Sequence, residues 1–420
     1  MASDSSNGLN VSVVGAGIAG LTAAIALRRN GHHVQSHVPS QIFEKSESKT
    51  EIGAALGVPL NALRVLDQLG ISRENLKGVP WSGGVAFDAE SGEDTPARGW
   101  STAGPDQMIG LLCHRSDLYE ELKRVATGHG EGPPAKLHLG TKVMACDSEA
   151  GTIFLISGEV LHADLVLGAD GVHSVVRAHI LGEVQKALPS GVSCYRTVFK
   201  LPQLSGMRWL DDGVSGTRTI IAKEGPFRMF ITYPCRSRAL LNFIAVFTDS
   251  CEDVQEVGCT PTASREDIIA KFRSFHPKFL PVLDLPAHSE IFKWQLGVLP
   301  PLPTWIRGRT ALLGDAAHAT LPFMAQGAAM AVEEGGSIGC LFPTGTRPED
   351  VPQRLKAYQD IRKQRGEFVR NESAEQLKNL MYGGPVVRYR EIQSTLLQYD
   401  ALATARDCYE ERFGDKSLSE

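Results

Sequence analysis

The 420-residue chain has no surplus of positive charge: 43 Lys and Arg stand against 48 Asp and Glu, a net charge of −5. That excludes the basic footprint of a nucleic-acid binder. No polybasic run suggests an anionic membrane surface either. No window approaches 18 consecutive apolar residues, so no membrane span is expected. The opening MASDSSNGLN lacks Lys, Arg and an apolar core, unlike a secretory signal, and the closing RFGDKSLSE carries no lipidation box. A cytoplasmic location is the expectation.

The eight cysteines never form a C-x-x-C pair, and most stand in apolar or strand-like surroundings, as Cys113, Cys146 and Cys194 do. They read as small core or surface residues, with no metal site and no disulfide framework. Neither H-E-x-x-H nor a Walker A loop occurs, so zinc proteolysis and P-loop hydrolysis are unsupported.

The composition that remains, 42% apolar and 22% charged, is that of an ordinary globular chain, and the length suggests about two to three domains. Val11–Val14 is a short β-rich run, followed by a Gly-rich turn and an apolar helix to about Arg29. A second strand is expected at 41–44 and a helix at 60–69. A hairpin-like stretch at 81–110 turns around Glu90–Glu93, and a helix follows over 115–126. Residues 127–134 read as a flexible hydrophilic loop, and strands recur at 137–145, 152–156 and 164–168. From 190 to 250 the runs YRTVFKL, RTIIA, RMFITYP and LLNFIAVF indicate an antiparallel sheet. Then come a helix at 264–276, a β-rich run at 310–313, a small-residue helix at 326–341, and helices near 352–380 and 386–412. The α/β pattern is interrupted by a β-rich block and resumes near 310, which indicates a nucleotide domain carrying an insertion.

Gly15-x-Gly17-x-x-Gly20 follows a strand and opens a helix, the context a dinucleotide fingerprint requires. Gly15 suits the tight turn, Gly17 lets backbone approach a pyrophosphate, and Gly20 permits close helix–strand packing. Glu44, at the end of the second strand, is placed to accept ribose hydroxyls. It lies 29 positions after Gly15 against a usual step of about 20, and Gln35–Ser40 reads as the surplus. A plain strand-end acid is the alternative.

Two more segments stand out: Leu165-Val-Leu-Gly-Ala-Asp170-Gly171 with Arg177, and Gly314-Asp315-Ala-Ala-His318 running on through Pro322 and Gln326-Gly327-Ala328 to Glu333-Glu334. With the glycine turn and His114-Arg115-Ser-Asp-Leu118, they resemble the DG and GD motifs of the single-component (group A) FAD-dependent aromatic monooxygenases, above all the salicylate-hydroxylase-like branch of fungal secondary metabolism. Four motifs in order carry the resemblance over most of residues 10–375.

The resemblance implies an α/β fold. A Rossmann-type FAD-binding domain, of the kind shared by glutathione reductase and para-hydroxybenzoate hydroxylase, would span 8–182 and 288–345. An antiparallel substrate-binding sheet would be inserted at 183–287, with C-terminal helices over 346–420. It implies that Arg115, Asp170 and Asp315 contact FAD, and that the helix start at Gly327 and Ala328 lies beside the flavin ring. An Asp170–Arg177 ion pair, N-capping by Asp315 and a solvated Arg115 are the plain alternatives. His318 reads as a packed, hydrogen-bonded residue rather than a base.

In the β-rich block, Arg196 would pair with a phenolate or carboxylate substrate, since a buried arginine needs an anion. Related fungal hydroxylases resemble this chain in an Arg and Tyr pair at positions matching Arg196 and Tyr233. A structural arginine and a packed tyrosine are the alternatives.

The reaction implied is a monooxygenation. NADPH or NADH reduces FAD, O2 adds to give a C4a-hydroperoxyflavin, and one oxygen passes to a phenolic or other electron-rich aromatic. Epoxidation of an indole or isoprenoid double bond in a natural-product intermediate is the alternative outcome. No second dinucleotide fingerprint stands in a strand–helix context, so the nicotinamide would bind transiently. An aromatic, alkaloid or polyketide small molecule is the expected partner, for a monomer or homodimer. Glu334-Gly335 replaces the family's usual Asp-Ala, and the tail after 375 is idiosyncratic. Two contrasting readings are an NAD-dependent dehydrogenase, against which the Gly314-Asp315 segment argues, and a flavin-binding regulatory or interaction module without turnover, which the surplus before Glu44 allows.

Overall fold

A computed structural model describes residues 8–32, 41–46, 55–95, 108–201, 207–210, 216–249, 259–260, 263–285, 287–384 and 390–414. The Gln35–Ser40 surplus lies outside them. The helices, in chain order, are α1 (Ile18–Arg29), α2 (Leu60–Gln68), α3 (Arg115–Thr127), α4 (Val175–Leu181), α5 (Arg265–Phe272), α6 (Asp315–His318), α7 (Gly327–Leu341), α8 (Val351–Met381), α9 (Arg390–Gln398) and α10 (Ala401–Phe413).

A six-stranded sheet carries Val11–Val14 at its centre, between Leu165–Gly168 and Gln41–Phe43. Thr310–Leu312 and Ile306–Arg307 extend one side and Lys136–His138 the other. All pairs are parallel except the outermost 306–307/310–312 pair. The four central strands are uniformly buried, as expected of a parallel sheet covered on both faces. On one side α1 packs against α7. A Cβ on Gly335 would stand 2.7 Å from the Ala23 nitrogen and the Thr22 Cβ. The glycine at this departure from the family pattern thus belongs to the close α1–α7 approach.

The large sheet runs Cys259–Thr260, Phe292–Val298, Leu188–Lys200, Leu240–Thr248, Arg228–Cys235, Gly216–Ile221, Gly83–Asp88, Asp94–Thr95. It draws strands from 83–95 and 292–298 as well as from the 183–287 stretch. Its alternation sorts side chains cleanly by face. Phe230, Phe243, Phe247 and Tyr195 pack with Phe272 and Phe275 of the α5 region in an aromatic core. The opposite face presents Arg196 and Val198, Ile231 and Tyr233, and Asn242 and Ile244, which meet Ala55, Trp81, Ala325 and Leu397.

Three local expectations change. The Gly128–Gly132 loop is anchored, because the Arg28 guanidinium donates to the carbonyls of Val125, Ala126, Gly128 and Gly132. The strand expected over 137–145 is two, Lys136–His138 and Val143–Asp147. The single helix expected over 386–412 is α9 and α10, broken where Asp400 accepts from the Leu402 and Ala403 N–H groups and so starts a new helix. No helix among the described residues is long and apolar enough to cross a membrane.

Candidate active site

The glycine turn is built by three different steric demands. Gly15 has φ +104°, and its N–H donates to Phe43 O at 2.8 Å. A Cβ on Gly15 would stand 2.3 Å from Ala169 O, and one on Gly20 would stand 2.1 Å from Gly15 O. Around Gly17 such an atom would meet nothing within 4 Å. The outer two glycines are therefore consumed by packing, and the middle one leaves space at the start of α1, where no side chain caps the helix. A pyrophosphate fits that space and the free N–H groups behind it. Glu44 is brought to the same turn, accepting from Ala16 N at 3.1 Å and Ser46 N at 3.2 Å while 7% exposed.

Asp170 and Asp315 lie beyond adjacent parallel strands but differ in role. The Asp170 carboxylate accepts from Ser174 Oγ and from the Val175 and Val176 N–H groups at the start of α4. Burial pushes its carboxyl above the usual range against the pull of those bonds. Arg177 does not form the ion pair with it; the guanidinium donates to Val172 O, Gln185 O and Ala316 O, tying α4 to α6. Asp315, the first residue of α6, is exposed. His318 is packed as expected: its ring lies 5.3 Å from that of Trp305, and Nε2 is 2.6 Å from Glu334 Oε1.

The start of α7 is open. Gln326 bonds no N–H of the first turn, Gly327 and Ala328 are half-buried, and a Cβ on Gly327 would meet only Thr320 Cγ2, at 4.0 Å. Ala325 enters it through φ +51°. Arg115 opens α3 and is half-buried. Beside it, Arg236 of the large sheet's 228–235/240–248 turn grips Asp117 at 2.8 and 3.0 Å and Ser116 at 2.8 Å, joining the sheet to the α3 start.

Beneath α7 lies a buried charge cluster that motif reading missed. Glu333 Oε2 accepts from Arg362 at 2.6 Å, and Oε1 accepts from Arg365 at 3.2 Å and from Asn61 at 2.7 Å. The same Asn61 amide reaches Gln326 Oε1 at 2.9 Å. Burial pushes the Glu333 carboxyl up, but Arg362 and Arg365 pull it below its ordinary value. Glu334 takes the Gly314 N–H at 2.6 Å in addition to His318. Two acids inside the small-residue helix 326–341 were the available sequence signal. Gly335–Gly339 reads G-x-S-x-G, yet Ser337 is fully buried mid-helix and donates to Glu333 O at 2.8 Å; it is no nucleophile elbow.

Arg365 also donates to the Thr395 and Leu396 carbonyls, and Arg64 to those of Leu397 and Tyr399. Cations at a helix C-terminus are favourable, and these hold α9 so that Leu397 packs onto the large sheet's inner face.

On that face Arg196 and Tyr233 converge on one residue. Tyr233 Oη donates to Ala55 O at 2.9 Å, and Arg196 reaches the same carbonyl at 3.4 Å. Burial pushes the Tyr233 phenol well above its ordinary value despite the nearby Arg196, so it is a neutral donor at neutral pH. Asn242, passed over in the sequence, accepts the Ala55 N–H at 3.1 Å. Its signal was a polar residue at an inward position of the alternation Leu240, Asn242, Ile244, Val246. Ile231, Ile244, Ala325 and Leu397 surround the row and stay partly exposed, and Ala325 lies two residues before the α7 start.

Comparison with known proteins identifies the family. Residues 8–373 match the model of an FAD binding domain family. The chain is 37% identical over 409 residues to a hispidin-3-hydroxylase of Neonothopanus nambi, covering 94% of each. It is 34% identical to the FAD-dependent monooxygenase cfoG of Aspergillus candidus, over 87% of this chain and 84% of that one. Among solved structures, CtdE in complex with FAD and a substrate superposes with a TM-score of 0.79 at 23% identity, covering 96% of this chain and 98% of that one. A salicylate hydroxylase substrate complex gives 0.72 at 23% identity over the same shares. The cradle at Gly17, the open α7 start and these relatives together place the chain in the FAD-binding monooxygenase family, as an FAD-dependent monooxygenase.

Proposed function

We propose that the enzyme hydroxylates a phenolic or other electron-rich aromatic small molecule, taking electrons from NADPH or NADH and one oxygen atom from O2. The observation that carries this reading is Arg196, a cation set among apolar side chains on the sheet face that meets Ala325, just ahead of the α7 start. Hydroxylation is also the activity for which the Neonothopanus nambi relative is named.

Gly15, Gly17 and Gly20 with the start of α1 would hold the pyrophosphate. Glu44, Arg115, Asp170 and Asp315 would serve the sugar and phosphate portions, and Gly327 and Ala328 the flavin ring. Bound and reduced, FAD supplies an electrophilic oxygen derived from O2. Arg196 binds an aromatic hydroxyl and favours its ionised form. Ionisation enriches the ring at the carbon that is attacked. Tyr233, held neutral, donates to Ala55 and fixes the wall beside Arg196. Ile231, Ile244, Ala325 and Leu397 exclude water from the reacting face.

The test is NADPH oxidation in air by the FAD-loaded protein. Phenolic ligands should accelerate it. Arg196→Ala should keep its flavin spectrum and lose that acceleration. Oxidation unmoved by phenols, or an Arg196→Ala rate equal to wild type, would remove the assignment.

A further inference from the structure

Gln326 is the residue from which α7 starts, and it is buried. Its backbone carbonyl accepts the Met330 N–H at 2.8 Å, the first bond of the helix. Its side chain does not cap the helix and is held by α2 instead: Asn61 Nδ2 lies 2.9 Å from Gln326 Oε1 and 2.7 Å from Glu333 Oε1. Arg362 and Arg365 hold Glu333 ionised, so its carboxylate can only accept. The Asn61 atom facing it is therefore the amide nitrogen, and the Gln326 atom facing that nitrogen is the oxygen. Both carboxamide flips follow from one buried charge. A single amide thus ties the charge cluster to the start of α7. The tie falls where the backbone needs one. Ala325, just before it, has φ +51°, which residues other than glycine rarely adopt. Gly327, just after it, is conformationally permissive and borders open space. A helix start aimed at the flavin ring stabilises the negative charge that the ring gains on reduction. The size of that effect depends on how firmly the N–H groups are held.

We propose that Asn61 is a positioning residue that fixes the α7 start against the flavin ring by orienting the Gln326 carboxamide, and thereby raises the reduction potential of the bound flavin. The inference rests on the ring lying at Gly327 and Ala328, as proposed above, and is independent of the substrate. The Asn61 side chain is itself buried and acts through Gln326. No bond forms or breaks at either residue.

The experiment measures the two-electron reduction potential of the FAD-loaded protein by equilibration with a reference dye, without substrate or turnover. Asn61→Leu keeps the side-chain volume and removes the donor, while Glu333 retains both arginines. It should shift the preference for reduced over oxidised flavin about tenfold, a fall of about 30 mV. Gln326→Met keeps the side-chain length and should give the same fall. The decisive variant is the pair. In the Gln326→Met background, Asn61→Leu should change that preference less than about twofold, or about 9 mV, because nothing remains for Asn61 to orient. Its cost to the urea stability of the apoprotein should persist in that background, since the bond to Glu333 is lost either way. An unchanged potential in both single variants would overturn the proposal. So would additive falls in the pair, the mark of a residue that only supports the fold. Where Asn61→Leu fails to retain FAD, Gln326→Met alone must show the fall, and an unchanged potential there overturns the proposal equally. Ala328→Asp tests the placement of the ring separately. An acid in the first turn suits the helix but opposes charge on a ring beside it, so the potential should drop. If it does not, the ring lies elsewhere, and that assignment falls together with this inference. If it does while the other two variants match wild type, this inference alone falls.

Discussion

Beneath α7, Glu333 and Glu334 receive hydrogen bonds from Arg362, Arg365, Asn61, His318 and the Gly314 N–H. On the large sheet, Arg196, Tyr233 and Asn242 share a single alanine, and two of the three keep a buried donor without a partner among the described residues. The first region is wholly buried and pairs its acids with cations inside the fold, although Arg362 Nε and Nη1 and Asn61 Oδ1 keep no hydrogen-bond partner among the described residues. The second sets a half-buried cation, Arg196, among apolar side chains, where it reaches a carbonyl and no carboxylate among the described residues. A cofactor held through every turnover suits charges paired within the fold, whereas a substrate that comes and goes suits a cation whose counter-charge it can bring. Substitutions should therefore cost stability in the first region and recognition in the second.

The sharpest break of that contrast is Glu333→Ala. It leaves the Arg362 and Arg365 guanidinium groups buried against each other's charge. Removing one partner of a buried pair typically costs about 3–5 kcal/mol, and urea unfolding of the FAD-loaded protein measures it. A loss under about 1 kcal/mol would mean that the cluster is not the scaffold of the α7 start.

The glycine turn divides in the same way over a few residues. Gly20→Val forces a side chain into Gly15 O, where a Cβ would already lie at 2.1 Å. Overpacking costs about 1–3 kcal/mol, and this backbone clash belongs at the upper end. At Gly17 a Cβ would meet nothing within 4 Å, so the Gly17→Ala apoprotein should unfold at nearly the wild-type urea concentration while FAD affinity falls. Equal destabilisation by the two would erase the distinction between a packing glycine and a binding one.

The sequence made the cofactor half legible because its glycines and acids occupy fixed offsets in a strand–turn–helix, a local pattern. Glu44 was readable for that reason even with the surplus at 35–40, and it does meet the glycine turn. The Glu333 cluster was not, since it joins α2, α7 and α8 across some 300 residues of chain and no spacing rule links them. Asn242 had a weak local signal, an amide at an apolar position of an alternating strand, but its meaning depends on Ala55, 187 positions earlier. The break between α9 and α10 failed for a different reason. Asp400 was read as one residue of a continuous helix, when its capping geometry starts a new one.

His318 gives a smaller effect with a definite direction in pH. Burial lowers its affinity for a proton, but the charge and hydrogen bond of Glu334 outweigh that and raise it above the ordinary value near 6.5. A group whose folded value is raised contributes its stability fully below about pH 6.5, and the contribution fades as pH rises through the folded value. The slope in that window is at most about 1.4 kcal/mol per pH unit. Unfolding free energies between pH 6 and 9 should therefore decline more steeply for wild type than for His318→Gln. Parallel curves would show that the proton is not held there.

Tyr233→Phe should cost least, and it probes the substrate side alone. The phenol donates to Ala55 O, which Arg196 meets only at 3.4 Å. Removing the hydroxyl leaves that carbonyl under-satisfied and costs about 1 kcal/mol, the usual net worth of a hydrogen bond. Flavin content should be unchanged, because the bond belongs to the sheet face and not to the glycine turn. Burial holds the phenol protonated well past its ordinary value, so Tyr233 has no titration to contribute over the working range. The pH profile of ligand-stimulated NADPH oxidation should keep its shape in Tyr233→Phe even where the rate is lower. An alkaline limb present in wild type and absent from the variant would show the tyrosine ionising in the site. Tyr233 would then join Arg196 in handling the substrate's proton, and the division between a charge-paired cofactor scaffold and a substrate wall with a single cation would have to be redrawn around a wall that titrates.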